Sequence, residues 1–299
     1  MSHDVATIAQ PVGSVRGVPA ASAHPRDRRD ACPGILRPWP AEDGALVRVR
    51  LVGGRITAGQ LAGLSAVARE HGDGDLHLTS RANLQLRGLP AGPEGTDPAV
   101  VEAIEALGLL PSRAHDQVRN LLVSPGTASG RVDPWPLAQE TERLLLADPR
   151  TARLPGKFLL AVDDGSGDLL DQDTDLLLVP LDEHSAQTRV GDDWGESVSL
   201  ANGPRLLVHL ATEFLRLRGD GPSAAWHVVE LSSAQRDALM PTYDADERVP
   251  AAPAPPSYDE RHRRVPDGRL TPDAVDGLVA GLPGDPLLVV TPWRGILLP

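Results

Sequence analysis

Arginines and amides recur at alternate positions between Leu76 and Arg87. The odd positions are His77, Thr79, Arg81, Asn83, Gln85 and Arg87, and the even ones include Leu76, Leu78, Leu84 and Leu86. A period of two places the two sets on opposite faces of a strand. Read as one unbroken strand, the segment turns its leucines to a core and its guanidinium and amide groups outward. Arg48 and Arg50 alternate with Val47, Val49 and Leu51 in the same way, so they join that face if the two strands share a sheet. Two readings stand. A solvated outer face is ordinary for an antiparallel sheet. The other is a surface for a ligand with several carboxylates, which arginine grips in a planar, two-pronged contact. The net charge of -12 sets this cationic patch apart from the rest of the chain.

The elements that must position these groups can be read from neighbouring residues. Gly53 and Gly54 make a turn after the first strand. Thr57 followed by Gln60 is a capping box, and Leu61, Leu64, Val67 and Ala68 give the helix behind it a buried stripe. The spacing predicts further helices over 98–107, 136–147 and 203–217. Strands are expected at 118–125, 157–162, 176–179, 198–200 and 226–231. Mixed strands and helices between about 110 and 240 suit an α+β lobe.

Part of the chain repeats. Gly54-Arg55-Ile56-Thr57 recurs as Gly268-Arg269-Leu270-Thr271, and Leu78-Thr79-Ser80 as Val290-Thr291-Pro292. Two strand–helix–strand copies that each expose an apolar face are expected to pair about a pseudo-two-fold axis. Ile296, Leu297 and Leu298 read as apolar replacements for the first copy's amides, which leaves the ligand-facing role to the first copy. The resulting division is a disordered tail (1–30), a first half-domain (31–95), a central lobe (96–240), a Pro-rich linker (241–262) and a second half-domain (263–299).

Composition bounds the function. With 299 residues, 41% apolar and 23% charged, the chain is long enough for a substantial core. Its acidity argues against nucleic acid as a partner, and no apolar run reaches membrane-spanning length. The cytoplasm is the expected compartment. The single cysteine, Cys32, excludes an internal disulfide; it reads as a small buried hydrophobe or a reactive thiol. Gly165-Ser166-Gly167 lacks the third glycine of a dinucleotide fingerprint, and no phosphate-binding loop, HExxH motif or nucleophile elbow occurs. Asp163 and Asp164 read as turn residues. No catalytic residue and no metal ligand set can be assigned.

Thr79-Ser80-Arg81-Ala82-Asn83-Leu84-Gln85-Leu86-Arg87 resembles the TSRxNxQ(L/F)R segment of the nitrite/sulfite reductase family. Val118-Arg119-Asn120 and Leu154-Pro155-Gly156-Lys157-Phe158 resemble two further segments of it. Within that family, Ala31-Cys32-Pro33-Gly34 is most similar to the precorrin-3B synthase branch. The resemblance implies duplicated ferredoxin-like half-domains packed on a central α+β lobe. It also implies an oxidoreductase of cobalamin biosynthesis, with a polycarboxylate tetrapyrrole held in a cleft. Arg50, Arg81, Arg119 and Lys157 match positions that hold tetrapyrrole carboxylates or a small anion, and Asn83, Gln85, Arg87 and Asn120 would line the same cleft. The family uses a [4Fe–4S] cluster with sirohaem or a non-haem iron. Such a cluster needs four cysteine thiolates, and Cys32 lies outside the family's cysteine motif. A separate cluster-bearing lobe or electron donor is therefore an expected partner. Leu159 stands where the family carries a second lysine, which weakens a sulfite or nitrite pocket.

Overall fold

The computed structural model describes residues 30, 32–126, 129–250, 259 and 261–299. The expected tail lies outside the described residues except for Asp30, as does most of 251–260.

The chain opens with β1 (Trp39–Ala41) and β2 (Gly44–Val49), then β3 (Arg55–Thr57), α1 (Ala58–His71), β4 (Leu76–Leu78) and β5 (Leu84–Leu89). Alternation in β2 buries Val47 and Val49 completely. The Thr57 side chain accepts from the Gln60 amide and the Gln60 side chain accepts from the Thr57 amide, the capping box that the spacing predicts. Such a cap stabilises a helix by about 1 kcal/mol.

The stretch 76–87 is not one strand. β4 and β5 form an antiparallel hairpin, with His77 opposite Gln85 and Leu78 opposite Leu84. Thr79 makes the turn: its amide donates to Asn83 O at 3.0 Å, and its hydroxyl accepts from the amides of Asn83 and Arg81. Ala82 adopts a left-handed φ of 54°. Side-chain bonds to nearby backbone thus replace a ladder, and Arg81 and Asn83 sit at a hairpin tip rather than on a sheet face.

A ribbon of β6 (Ala91–Gly92) and β7 (Gly95–Thr96) leads to α2 (Pro98–Ala106). The central lobe then comprises β8 (Leu121–Val123), α3 (Trp135–Ala147), β9 (Leu160–Val162), β10 (Leu176–Pro180), β11 (Ser185–Val190), β12 (Asp193–Ser199), α4 (Gly203–Leu217) and α5 (Ser233–Leu239). Its sheet runs β12-β11-β10-β9-β8; β8, β9 and β10 are parallel, and β11 and β12 antiparallel. Leu145 of α3 and Leu207 and Phe214 of α4 share its core with Phe158, whose ring lies 4.7 Å from that of Phe214. The hairpin β11–β12 exceeds the short strand expected at 198–200, because Gln187, Arg189 and Glu196 mask its apolar period. Trp226–Leu231 is not a strand. It carries a 3-10 turn at Val228–Glu230, drawn inward where the Val228 amide donates to Asp175.

The second copy follows as β13 (His262–Arg264), β14 (Arg269–Leu270), α6 (Pro272–Val279), β15 (Leu287–Val290) and β16 (Gly295–Leu297). The copies exchange strands. β14 joins the first sheet beside β4, giving β1-β2-β5-β4-β14, and β3 joins the second beside β15, giving β13-β16-β15-β3. Leu61, Leu64, Val275 and Val290 then share one core. Thr291 repeats the part of Thr79, since its amide donates to Gly295 O, its hydroxyl accepts from the Gly295 amide, and Arg294 has φ 58°. This register corrects one expectation. Ile296 and Leu298 match the core residues Leu84 and Leu86, and only Leu297 replaces an amide, Gln85. Gly54 has φ 70°, and a β-carbon there would collide with Val290 O of the other copy.

Candidate functional site

The residues singled out in the sequence separate into three groups. The first is buried and internally bonded. Arg50 is 2% exposed; its Nε donates to Asn120 Oδ1 at 2.9 Å, and Nη1 donates to Pro33 O at 3.1 Å and Asp116 O at 2.9 Å. Asn120 donates to Gly156 O at 2.8 Å and Phe158 O at 3.3 Å. Asn83 Oδ1 accepts from the Leu51 amide. Arg119 donates to Glu142 from Nε and Nη2, and its Nη1 reaches Arg50 O. Arg50, Asn120 and Arg119 fasten the half-domain to the central lobe, and Asn83 ties the hairpin tip to Leu51 within the half-domain. Burial, and then the Arg48 charge, push the Arg50 guanidinium down to about 10. Its Nη2 is buried without a partner, as is Nδ2 of Asn83.

The second group faces outward. Arg48 lies across from Gln85, whose amide oxygen, turned toward it, accepts from Nε at 3.2 Å and Nη2 at 2.8 Å. Arg81 Nη1 donates to Lys157 O at 2.8 Å. The Lys157 ammonium stands 5.5 Å from the centre of the Trp226 ring. Arg48 and Arg81 are both held below the usual guanidinium range by burial; the Arg81 charge adds to this at Arg48. None of Arg48, Arg81 and Lys157 pairs with a carboxylate among the described residues. Cys32 lies in the same neighbourhood, 8% exposed, its thiol raised first by burial and then by Asp30. It is a buried thiol, not a thiolate.

Arg87 forms the third group alone, 3.4 Å from Asp43 beside the β1–β2 turn.

Gly156 and Trp226, neighbours of Lys157, line one cavity, and Arg81 lines another. The first, of about 880 Å³, has Arg37, Arg153, Arg218, Gly156 and Trp226 in its wall. The Asp30 and Asp116 carboxylates in that wall already accept backbone amides from Cys32, Gly156, Ile35 and Leu36. The other, of about 410 Å³, is lined by Arg81, Asp173, Arg189 and His227 among others. His227 Nδ1 lies 3.1 Å from Asp175 Oδ2, and Asp175 is 2% exposed and also accepts the amides of Leu159 and Val228. A carboxylate in this position fixes the imidazole tautomer and leaves Nε2 for another partner. Neither Arg153, Arg218 nor the Asp175–His227 pair was legible in the sequence, because the pairing partners are far apart along the chain and belong to no repeated pattern. Leu159 is 3% exposed and packs with Ala161 and Leu177, so this position faces a core.

Residues 39–92 match the nitrite/sulfite reductase ferredoxin-like half domain. A precorrin-3B synthase from Sinorhizobium sp is 31% identical over 140 residues, which cover 46% of this chain and 29% of that protein. A ferredoxin–nitrite reductase from Leptolyngbya laminosa is 29% identical over 146 residues, covering 46% of this chain and 28% of that protein. The structure of the Mycobacterium tuberculosis NirA protein matches with a TM-score of 0.64 at 19% identity, over 85% of this chain and 53% of that one. Residues 39–92 thus carry a half domain like that of the nitrite and sulfite reductases, and the two curated relatives are similar to just under half of this chain.

The chain's α+β fold with ferredoxin-like half-domains resembles that of NirA, while the aligned segments span under a third of the two curated relatives. The half-domain likeness raises iron–sulfur and sirohaem chemistry as a question for this chain. The residues present do not fit a cluster held by four thiolates, since Cys32 is the only cysteine. They do fit the acidic fringe of a tetrapyrrole, for which Arg48, Arg81 and Lys157 offer cations that form no ion pair with a carboxylate among the described residues. No helix among the described residues is long and apolar enough to cross a membrane.

Proposed function

We propose that this chain binds a polycarboxylate tetrapyrrole across the Arg81–Lys157 contact, as a precorrin-3B synthase-like member of the nitrite/sulfite reductase family. One observation carries the reading. In a chain of net charge -12 with 41 acidic residues, Arg48 and Arg81 are partly desolvated, the Arg81 charge acts on Arg48, and among the described residues neither forms an ion pair with a carboxylate, although Asp175, Asp173 and Asp30 lie near enough to act on Arg81. Like charges gathered at that cost suit an anionic ligand, whose carboxylates form charge-assisted bonds there. Arg50, Asn83, Arg119 and Asn120 act behind them as positioning residues, and Gln85 orients Arg48. The cavity of about 410 Å³ carries Asp171, Asp173, Asp175 and Asp192 against Arg81 and Arg189, so a ligand carboxylate meets Arg81 at its rim rather than inside it. The larger cavity, with Arg153 and Arg218, suits further arms.

Cobalamin-pathway oxidation of the ring belongs to this reading only with a cluster-bearing partner, because the chain's own residues supply no thiolate set. A non-catalytic tetrapyrrole-binding module is the second reading, and the single cysteine favours it. Iron and acid-labile sulfide analysis after anaerobic purification separates the two.

Absorbance titration with uroporphyrin III tests the binding itself. Removing an arginine from a shielded carboxylate costs on the order of 2–5 kcal/mol, so Arg81→Ala is expected to weaken binding by about 30-fold or more. Arg143→Ala, on the outer face of α3, leaves it unchanged. Absence of binding, or equal affinity in Arg81→Ala, refutes the proposal.

A further inference from the structure

The turn after β9 gathers three aspartates. Asp163, Asp164 and Asp168 are 0%, 0% and 3% exposed, and one carboxylate oxygen from each lies within 4.8 Å of the others. Asp163 has a local structural task, since its oxygens accept the amides of Gly165, Gly167 and Leu169. Asp168 has none of this kind. Its Oδ1 accepts from Ser124 Oγ at 2.5 Å, and its Oδ2 is buried with no hydrogen-bond partner. A second oxygen, Ser166 Oγ, is also buried and unpartnered in the same loop. Among the described residues no lysine, arginine or histidine hydrogen-bonds to Asp163 or Asp168.

Buried carboxylates at this spacing cannot all stay ionised without a counter-charge. We propose that Asp163, Asp164 and Asp168 bind one calcium ion, with Asp168 Oδ2 among its ligands. The donors are all hard oxygens, with no imidazole or thiolate in the group, which excludes the usual sites for zinc or copper. A compact cluster of buried carboxylate oxygens suits calcium better than magnesium, which keeps several waters. The location gives the ion a structural task. The three ligands follow β9, and Ser124, which follows β8, donates to Asp168, so through that bond the ion steadies the carboxyl ends of two neighbouring parallel strands. This site is separate from the arginine patch and does not depend on the tetrapyrrole reading. The competing neutraliser is a proton shared by Asp163 and Asp168.

The test uses the full chain, stripped with EGTA and titrated calorimetrically with calcium chloride and, separately, magnesium chloride. Calcium is expected to bind at one per chain, at least tenfold more tightly than magnesium, and to raise the melting temperature. Asp168→Asn keeps the side-chain shape and removes the charge; calcium affinity is expected to fall at least tenfold. Should that variant not fold, Asp164→Asn replaces it, with the affinity loss read in the same titration. Failure of the folded wild-type chain to bind calcium up to millimolar concentration overturns the site and leaves the proton in its place. Unchanged calcium affinity in the folded variant overturns it equally.

Discussion

Replacing Arg50 by methionine separates fastening from ligand binding. Three hydrogen bonds are lost, from Nε to Asn120 Oδ1 at 2.9 Å and from Nη1 to the carbonyls of Pro33 at 3.1 Å and Asp116 at 2.9 Å. A bond to a charged group contributes about 1.5–3 kcal/mol net, so the three together approach roughly 5 kcal/mol. Part of this is offset by the cost of burying the cation, which shows in a guanidinium pushed down to about 10. Methionine fills the apolar length of the side chain but leaves three buried acceptors unpaired. The expected net loss is about 3 kcal/mol, or roughly a 100-fold shift toward the unfolded state. Urea unfolding followed by far-UV circular dichroism reads it as a lower midpoint with an unchanged slope. A stability within about 0.5 kcal/mol of wild type, together with a lost uroporphyrin affinity, would show that Arg50 is a ligand contact, and the reasoning would fail.

Two further predictions rest on backbone and burial. Gly54→Ala forces a left-handed residue against Val290 O of the second half-domain, and is expected to cost at least about 2 kcal/mol; thermal unfolding indistinguishable from wild type would contradict the strand exchange. Burial first, and Asp30 second, raise the Cys32 thiol, so the fold favours the neutral form. That contribution to stability is complete below the ordinary thiol range and is lost as pH climbs through the raised value. Iodoacetamide labelling of the folded chain should therefore rise with pH later than labelling in urea, and coincident pH profiles would refute the assignment.

The fold was legible wherever one local rule dominated. Thr57 and Gln60 announced α1, alternation announced β2, Pro204 and Gly219 bounded α4 although Asn202 makes no side-chain cap bond there, and the duplicated glycine–threonine and valine–threonine segments announced two equivalent units. The exchange of β3 and β14 between those units was not written in either copy, because an edge strand's partner depends on which sheet lies beside it after packing. The hairpin at 79–83 shows a local rule hidden by a stronger-looking one. Alternation ran straight through Thr79, yet its hydroxyl and amide bonds turned the chain. The same limit governs the candidate site. Arginine and amide types at 48, 50, 81, 83, 119 and 120 marked the region, since residue type and spacing belong to the sequence. Which of them reach solvent was decided by burial. Arg50 and Asn120 are consumed by internal acceptors, while Arg48, Arg81 and Lys157 form no ion pair with a carboxylate among the described residues. Asp175 with His227, and Asp168 with Ser124, came together only in three dimensions, where long-range contacts and desolvation act on residues that share no local pattern.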